Sequence, residues 1–102
     1  MIASVRPIFY LRRSKVNRRG TVPIFMRVTI AGKRFETSTA RCVKTEDWCQ
    51  ITGRVAPTPK RSDAISINAH LDTLYGKVCS VERKLIAGDI PITIENFKRE
   101  WE

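Results

Sequence analysis

This sequence has little with which to hold a metal or run a reaction. It contains one histidine, His70, and three cysteines, Cys42, Cys49 and Cys79, none spaced as C-x-x-C. A closed zinc site takes four soft or imidazole ligands in clustered spacing, and these four residues match none of the usual intervals. The cysteines read instead as small buried or half-buried hydrophobes in a reducing compartment. There is no nucleophile–base pair and no phosphate-cradling glycine loop, which argues against a free-standing enzyme. No apolar run reaches the roughly 18–20 residues of a membrane span. The opening Met1-Ile2-Ala3-Ser4-Val5-Arg6-Pro7 has no apolar signal core, so the cytosol is the default location. Glycine and proline are scarce, at five each, and with 42% apolar residues the chain has the composition of a folded domain.

What the chain has is positive charge, and that charge is unevenly placed. A length of 102 residues makes one domain with a modest core. Residues 1–61 hold 14 Lys/Arg against 3 Asp/Glu, a balance of +11, whereas residues 62–102 hold 5 against 7, a balance of −2. A block confined to one half reads as an electrostatic footprint for a polyanion rather than as general solubility. A basic membrane-binding surface is the rival. The basic half lacks a long amphipathic helix and a lipidation motif, which argues against it.

The basic half reads as a small sheet. Val5 to Arg13 is rich in β-branched and aromatic residues, and period-two alternation puts Phe9 and Leu11 on one face and Tyr10 and Arg12 on the other. Pro7 suits a strand start or edge. Ser14 to Thr21 is a basic loop with Asn17 and Gly20 for special backbone angles. Pro23 to Ile30 is the clearest strand: Ile24, Met26, Val28 and Ile30 face a core, and Phe25, Arg27 and Thr29 face outward. Ala31-Gly32 turns the chain, and Ala31 disfavours a type I′ turn, so the expectation is a type I turn with Gly32 left-handed. Arg34 to Thr39 returns as the third strand, with Phe35 and Thr37 inward and Arg34, Glu36 and Ser38 outward. Ala40 to Lys44 then leads out of the sheet.

The second half reads as helix. Thr45 is the expected N-cap of a single short turn carrying Glu46, Asp47 and Trp48, with Trp48 as a core plug. Ile51 to Arg61, with Gly53, Pro57 and Pro59, is a loop with a short extended piece at Arg54-Val55. Ser62 or Asp63 caps a long helix, Ala64 to Ala87, about 35 Å long at 1.5 Å per residue. Ile67, Leu71, Leu74, Val78, Val81 and Leu85 form one apolar stripe along it, long enough to cover the sheet. Gly76 inside it costs roughly 1 kcal/mol against Ala. Gly88-Asp89 stops the helix. A further helix follows, capped by Thr93, with Ile92 and Phe97 as a hydrophobic staple and Glu95 in its first turn. The fold class is therefore α+β: a three-stranded antiparallel sheet packed on a long C-terminal helix, with a short extra helix after it.

The order of these pieces carries a family likeness. Tyr10-Leu11-Arg12-Arg13-Ser14-Lys15 is followed by the loop with Asn17 and Gly20, and then by Pro23-Ile24-Phe25-Met26-Arg27-Val28-Thr29. Gly32-Lys33-Arg34, Ser38-Thr39, Trp48, Gly53-Arg54-Val55 and a long helix complete the series. Over nearly its whole length the chain resembles the N-terminal arm-type DNA-binding domain of tyrosine recombinases, the phage-integrase-like enzymes of Bacteroides-type mobile elements. It departs from them at Ala40, where such domains often show Gly after the Ser-Thr pair. The resemblance implies a sheet placed in the major groove of an accessory arm site on double-stranded DNA. It also implies that the recombinase's catalytic residues lie in a separate domain. Tyr10 and Tyr75 are therefore no nucleophile candidates, and His70 no general base. On this reading residues 1–90 are the arm-type domain, with sheet 5–40, loop 41–62 and helix 63–87. Residues 91–102 begin a linker helix towards a core-binding domain of a longer protein.

The residue chemistry is consistent with that expectation. A β-ribbon fits the roughly 12 Å wide major groove, where outward side chains at alternate positions meet base edges. Arg12, Arg27 and Arg34 are the candidates for bidentate contacts to guanine. Tyr10 and Phe25 are candidates for a thymine methyl or a sugar, and Thr29 shares their face. Arg13, Lys15, Arg18, Arg19 and Lys33 lie in or beside the turns, where phosphates would be met. No cofactor or metal is expected. The expected location is the bacterial cytoplasm at the nucleoid. Two rival readings stay open: stacking of unpaired RNA bases on Tyr10 and Phe25, and a protein-interaction module docking through a helix on another protomer.

Overall fold

The computed structural model describes residues 5–56 and 63–102. Strands β1 (Pro7–Leu11), β2 (Thr21–Ile30) and β3 (Lys33–Lys44) form an antiparallel sheet in the order β1-β2-β3. A two-stranded ribbon follows, β4 (Trp48–Cys49) with β5 (Arg54–Val55), and then helices α1 (Ala64–Ala87) and α2 (Ile94–Trp101). The expected α+β architecture is borne out.

The face assignment holds because alternation is strict in the central strand. Ile24, Met26 and Val28 are fully buried, Ile30 nearly so, and Phe9 and Leu11 join them from β1. Against that layer α1 buries Ala64, Ile67, Leu71, Val78, Val81 and Leu85, with Leu74 half-buried at its margin. Gly76 lies within the unbroken helix. From α2, Thr93 Oγ1 accepts the Asn96 amide at 3.1 Å as N-cap, and Phe97 is fully buried. Trp101 stacks on Phe97, with centroids 5.9 Å apart at 17°, and meets Phe35 edge-on at 6.1 Å. The ribbon is fastened to α1 by Asn68, whose amide donates to the Val55 carbonyl at 3.0 Å and accepts from the Val55 N–H at 2.9 Å. Trp48 is buried in the core, as expected of it.

Several local expectations are corrected. The hairpin pairs Ile30 with Lys33, which leaves only Ala31 and Gly32 to turn; their φ values are 51° and 80°. Both are positive, so the turn is of the primed kind, not type I. A two-residue connection has to match the right-handed twist of its strands, and that requirement overrides alanine's dislike of the left-handed region. The third strand does not leave the sheet at Thr39. Pairing is Phe25 with Ser38 and then Ile24 with Arg41, so Thr39 and Ala40 are accommodated in a bulge, after which Cys42, Val43 and Lys44 continue the ladder. Ala40 has φ 62°, the left-handed conformation that glycine takes without strain.

β2 likewise begins at Thr21, so Pro23 lies inside it. Its carbonyl accepts the Arg12 amide at 3.0 Å. The donor it lacks is thus on the β1 side, at the end of that ladder, where the loss is tolerated. Arg13 belongs not to β1 but to a 3-10 turn, Arg13–Lys15. Thr45 is the first residue of a 3-10 turn whose N-cap position is Lys44, and Trp48 has passed into β4. Cys42 is exposed rather than buried, while Cys49 and Cys79 are half-buried as expected. Asp63 holds the N-cap position of α1. The alternative cap Ser62, and Pro57 and Pro59 of the preceding loop, lie outside the described residues.

Candidate nucleic-acid interface

With one face of the sheet sealed by α1 and α2, the other is left open, and its residues follow from the register. Ile8, Arg27 and Glu36 stand side by side across the three strands, as do Tyr10, Phe25 and Ser38. Thr29 is opposite Arg34 towards the hairpin. Pro23 is opposite Cys42 and Thr21 opposite Lys44 at the other end.

The centre of this face is a lattice of arginines on aromatic rings. The guanidinium carbon of Arg12 lies 4.1 Å from the Phe25 centroid, and that of Arg27 lies 4.6 Å from the Tyr10 centroid. Lys15 approaches the Phe25 ring at 5.8 Å. Arg12 also donates to the Tyr10 hydroxyl at 3.0 Å. Glu36 ties the lattice together: one carboxylate oxygen accepts from Arg12 at 2.8 Å and the other from Arg27 Nε at 2.8 Å. A single carboxylate on β3 thus reaches a residue at the end of β1 and another on β2.

The electrostatics follow from that geometry. The hydrogen bond from Arg27 holds the Glu36 carboxyl below the usual carboxylate range, against the opposing effect of partial burial. The bond to Tyr10 is the main reason the Arg12 guanidinium is held above its ordinary value, and the bond to Glu36 does the same for Arg27. Both arginines are charged at any working pH.

The flanking charges are arranged differently at the two ends. At the β1–β2 end, Arg13, Lys15, Arg18 and Arg19 are all exposed. Their loop is shaped by Asn17, whose side-chain oxygen accepts the Arg19 and Thr21 amides at 2.9 and 3.0 Å, and by Gly20 at φ 76°. At the hairpin end Arg34 is exposed, while Lys33 pairs with Glu95 of α2 at 3.0 Å. Both partners of that pair are well exposed, which limits what it contributes to stability.

Tyr10, Arg12, Phe25 and Arg27 are thereby brought into mutual contact. Thr29 and Arg34 share their face without joining the lattice. Arg13, Lys15, Arg18 and Arg19 gather at one end, and Lys33 stands apart at the other. Sequence reasoning missed the carboxylate that organises the centre: alternation puts Glu36 outward, but only the register puts it beside Arg27. It also missed Lys44, which the bulge keeps in the sheet. His70 is engaged with the backbone of the sheet. Its Nε2 lies 2.8 Å from the Thr39 carbonyl, which can only accept, so Nε2 carries the proton and the ring ties α1 to the bulge. Among the described residues, no group of three or more His, Cys, Asp or Glu could hold a metal ion, and no helix is long and apolar enough to cross a membrane.

A model of the Arm DNA-binding domain family matches residues 9–98. The chain belongs to this family. No curated protein and no solved structure matches it. The match runs from the first core residue of β1 through most of α2, so it takes in the whole arginine–aromatic face. The chain is an arm DNA-binding domain, non-catalytic in itself, and DNA is the partner the family implies.

Proposed function

We propose that this arm domain binds double-stranded DNA sequence-specifically, by laying the open face of its sheet in the major groove, and that it serves as the accessory arm-site domain of a site-specific tyrosine recombinase. The observation that carries the proposal is the lattice of Arg12, Tyr10, Phe25 and Arg27 on the face opposite the core. Arginines held in fixed directions on an exposed sheet suit bidentate contacts to guanine, and a three-stranded sheet fits a groove about 12 Å wide. Arg13, Lys15, Arg18 and Arg19 stand at one end of that face, where a duplex backbone would pass. The recombinase context rests on the family and on the order of motifs along the chain. Contacts with other protomers of the assembly are compatible with it.

The reading as an RNA-stacking sheet is disfavoured by the same lattice. Guanidiniums already cover the Tyr10 and Phe25 rings on which an unpaired base would stack.

The test is binding to a fluorescent duplex of random sequence across about 50 to 200 mM salt, with single-stranded RNA as competitor. Binding should weaken steeply with salt, with a log–log slope near −0.9 for each phosphate neutralised. A nearly flat salt response, or stronger competition by RNA than by duplex, would count against the proposal. Arg27→Ala should weaken binding to sequences enriched from a random library more than binding to the unselected library. Equal losses would assign Arg27 to the DNA backbone.

A further inference from the structure

Glu36 is the one acidic residue in the three strands of the sheet, and it stands at the middle of the face proposed to meet a polyanion. An acid there repels phosphate, so a surface built only for affinity would not carry one. Its position is also not needed by the core, because it is an outward residue with its side chain 28% exposed. What it does is grip two guanidiniums at 2.8 Å, one on each oxygen. Their side chains are 30% and 27% exposed.

Two consequences follow. The trio of Arg12, Arg27 and Glu36 carries a net charge of +1 instead of the +2 that its arginines would bring alone. The arginines are also held before any ligand arrives, each on an aromatic ring and a carboxylate oxygen, and each guanidinium has further N–H donors beyond the one that Glu36 engages. Non-specific binding scales with the charge available to phosphates. Reading a base edge depends on the direction of the donors.

We propose that Glu36 is a specificity-determining residue of the arm domain: it withholds Arg12 and Arg27 from the phosphates of arbitrary duplex and aims them at base edges. This rests on the reading of the sheet as a duplex-binding face. The two roles are separable. Glu36→Gln removes the charge and leaves one neutral acceptor oxygen where two carboxylate oxygens held the arginines. Glu36→Asp keeps the charge but is a methylene too short to span both arginines as Glu36 does.

The experiment measures two things for wild type, E36Q and E36D: salt-dependent binding to a random-sequence duplex, and the sequences each protein enriches from a randomised duplex library. Circular dichroism and a thermal midpoint check that each variant is folded. E36Q should bind random duplex more tightly, on the order of tenfold at about 0.1 M salt, with a slope steeper by about 0.9, as for one further phosphate neutralised. Its enriched sequences should be less distinct from the starting pool. E36D should keep the wild-type slope and lose selectivity. E36Q or E36D with wild-type slope and wild-type enrichment overturns this inference while leaving the duplex reading intact. Wild-type protein that shows no salt-dependent duplex binding overturns both. If E36Q does not fold, E36D decides, since retained selectivity in that variant overturns the aiming role.

Discussion

The Thr39 hydroxyl donates to the Ile24 carbonyl at 2.8 Å, at the point where the ladder between β2 and β3 changes register. Thr39 is buried, and its own carbonyl receives the His70 ring. The bulge is thus tied across the ladder by a side chain, and is anchored to α1 from the other side.

Two substitutions at this bulge should act in opposite directions. Thr39→Val removes this buried hydrogen bond to the Ile24 carbonyl and should cost about 1–2 kcal/mol. Ala40→Gly relieves a left-handed alanine, less the added freedom of the unfolded chain, and should gain about 0.5–1 kcal/mol. Urea midpoints measured at constant m-value check both. A destabilised A40G protein would show that Ala40 does not adopt the left-handed conformation.

Phe97 should be the most costly truncation in α2. It is fully buried and packs against both Phe35 and Trp101. Phe97→Ala should therefore cost about 3–5 kcal/mol. Trp101→Ala should cost less, since Trp101 is only half-buried. Equilibrium unfolding should rank the two in that order. If removing Phe97 costs under 1 kcal/mol, α2 is not packed as described.

The arginine–carboxylate lattice should make stability depend on acid pH. The folded-state Glu36 pKa is lowered, first by the hydrogen bond from Arg27. A depressed carboxyl contributes stability above its unfolded pKa, about 4.3 for Glu, and loses it as pH falls through the lower folded value. Glu95 is lowered in the same direction by Lys33. Wild type should therefore be more stable than E36Q at neutral pH, with the gap closing below the ordinary carboxylate range. Denaturant melts of both proteins from pH 7 down to about pH 3 test this. A gap that widens on acidification contradicts it.

Cys42 offers a direct probe of the open face. It is exposed, opposite Pro23 on the outward side of the sheet. Cys49 is half-buried, and its pKa is lowered mainly by the hydrogen bond from Thr52, so it is best removed by Cys49→Ser to keep its thiolate from competing for reagent. Saturating duplex should then slow alkylation of Cys42 several-fold and leave the half-buried Cys79 unchanged. Equal rates with and without duplex would place DNA elsewhere.

The sequence by itself determined the architecture and the two faces of the sheet. Strict alternation in Pro23 to Ile30 and the Ile67-to-Leu85 stripe each admit one buried side, and burial of apolar surface is strong enough to enforce it. Glycine and proline punctuation, with the Thr93 cap, fixed α1 to the residue and α2 closely. Which outward residues touch which was not legible, because alternation gives the side of a residue but not its neighbour on the next strand. Cross-strand register is set by the hairpin and the bulge. The hairpin's turn type was misread because local preference at Ala31 yields to strand twist. The bulge at Thr39-Ala40 is held by Ile24 and His70, residues distant in sequence. Tertiary structure alone therefore brought Glu36 between Arg12 and Arg27, kept Lys44 in the sheet, and turned a list of outward arginines into a lattice with defined directions.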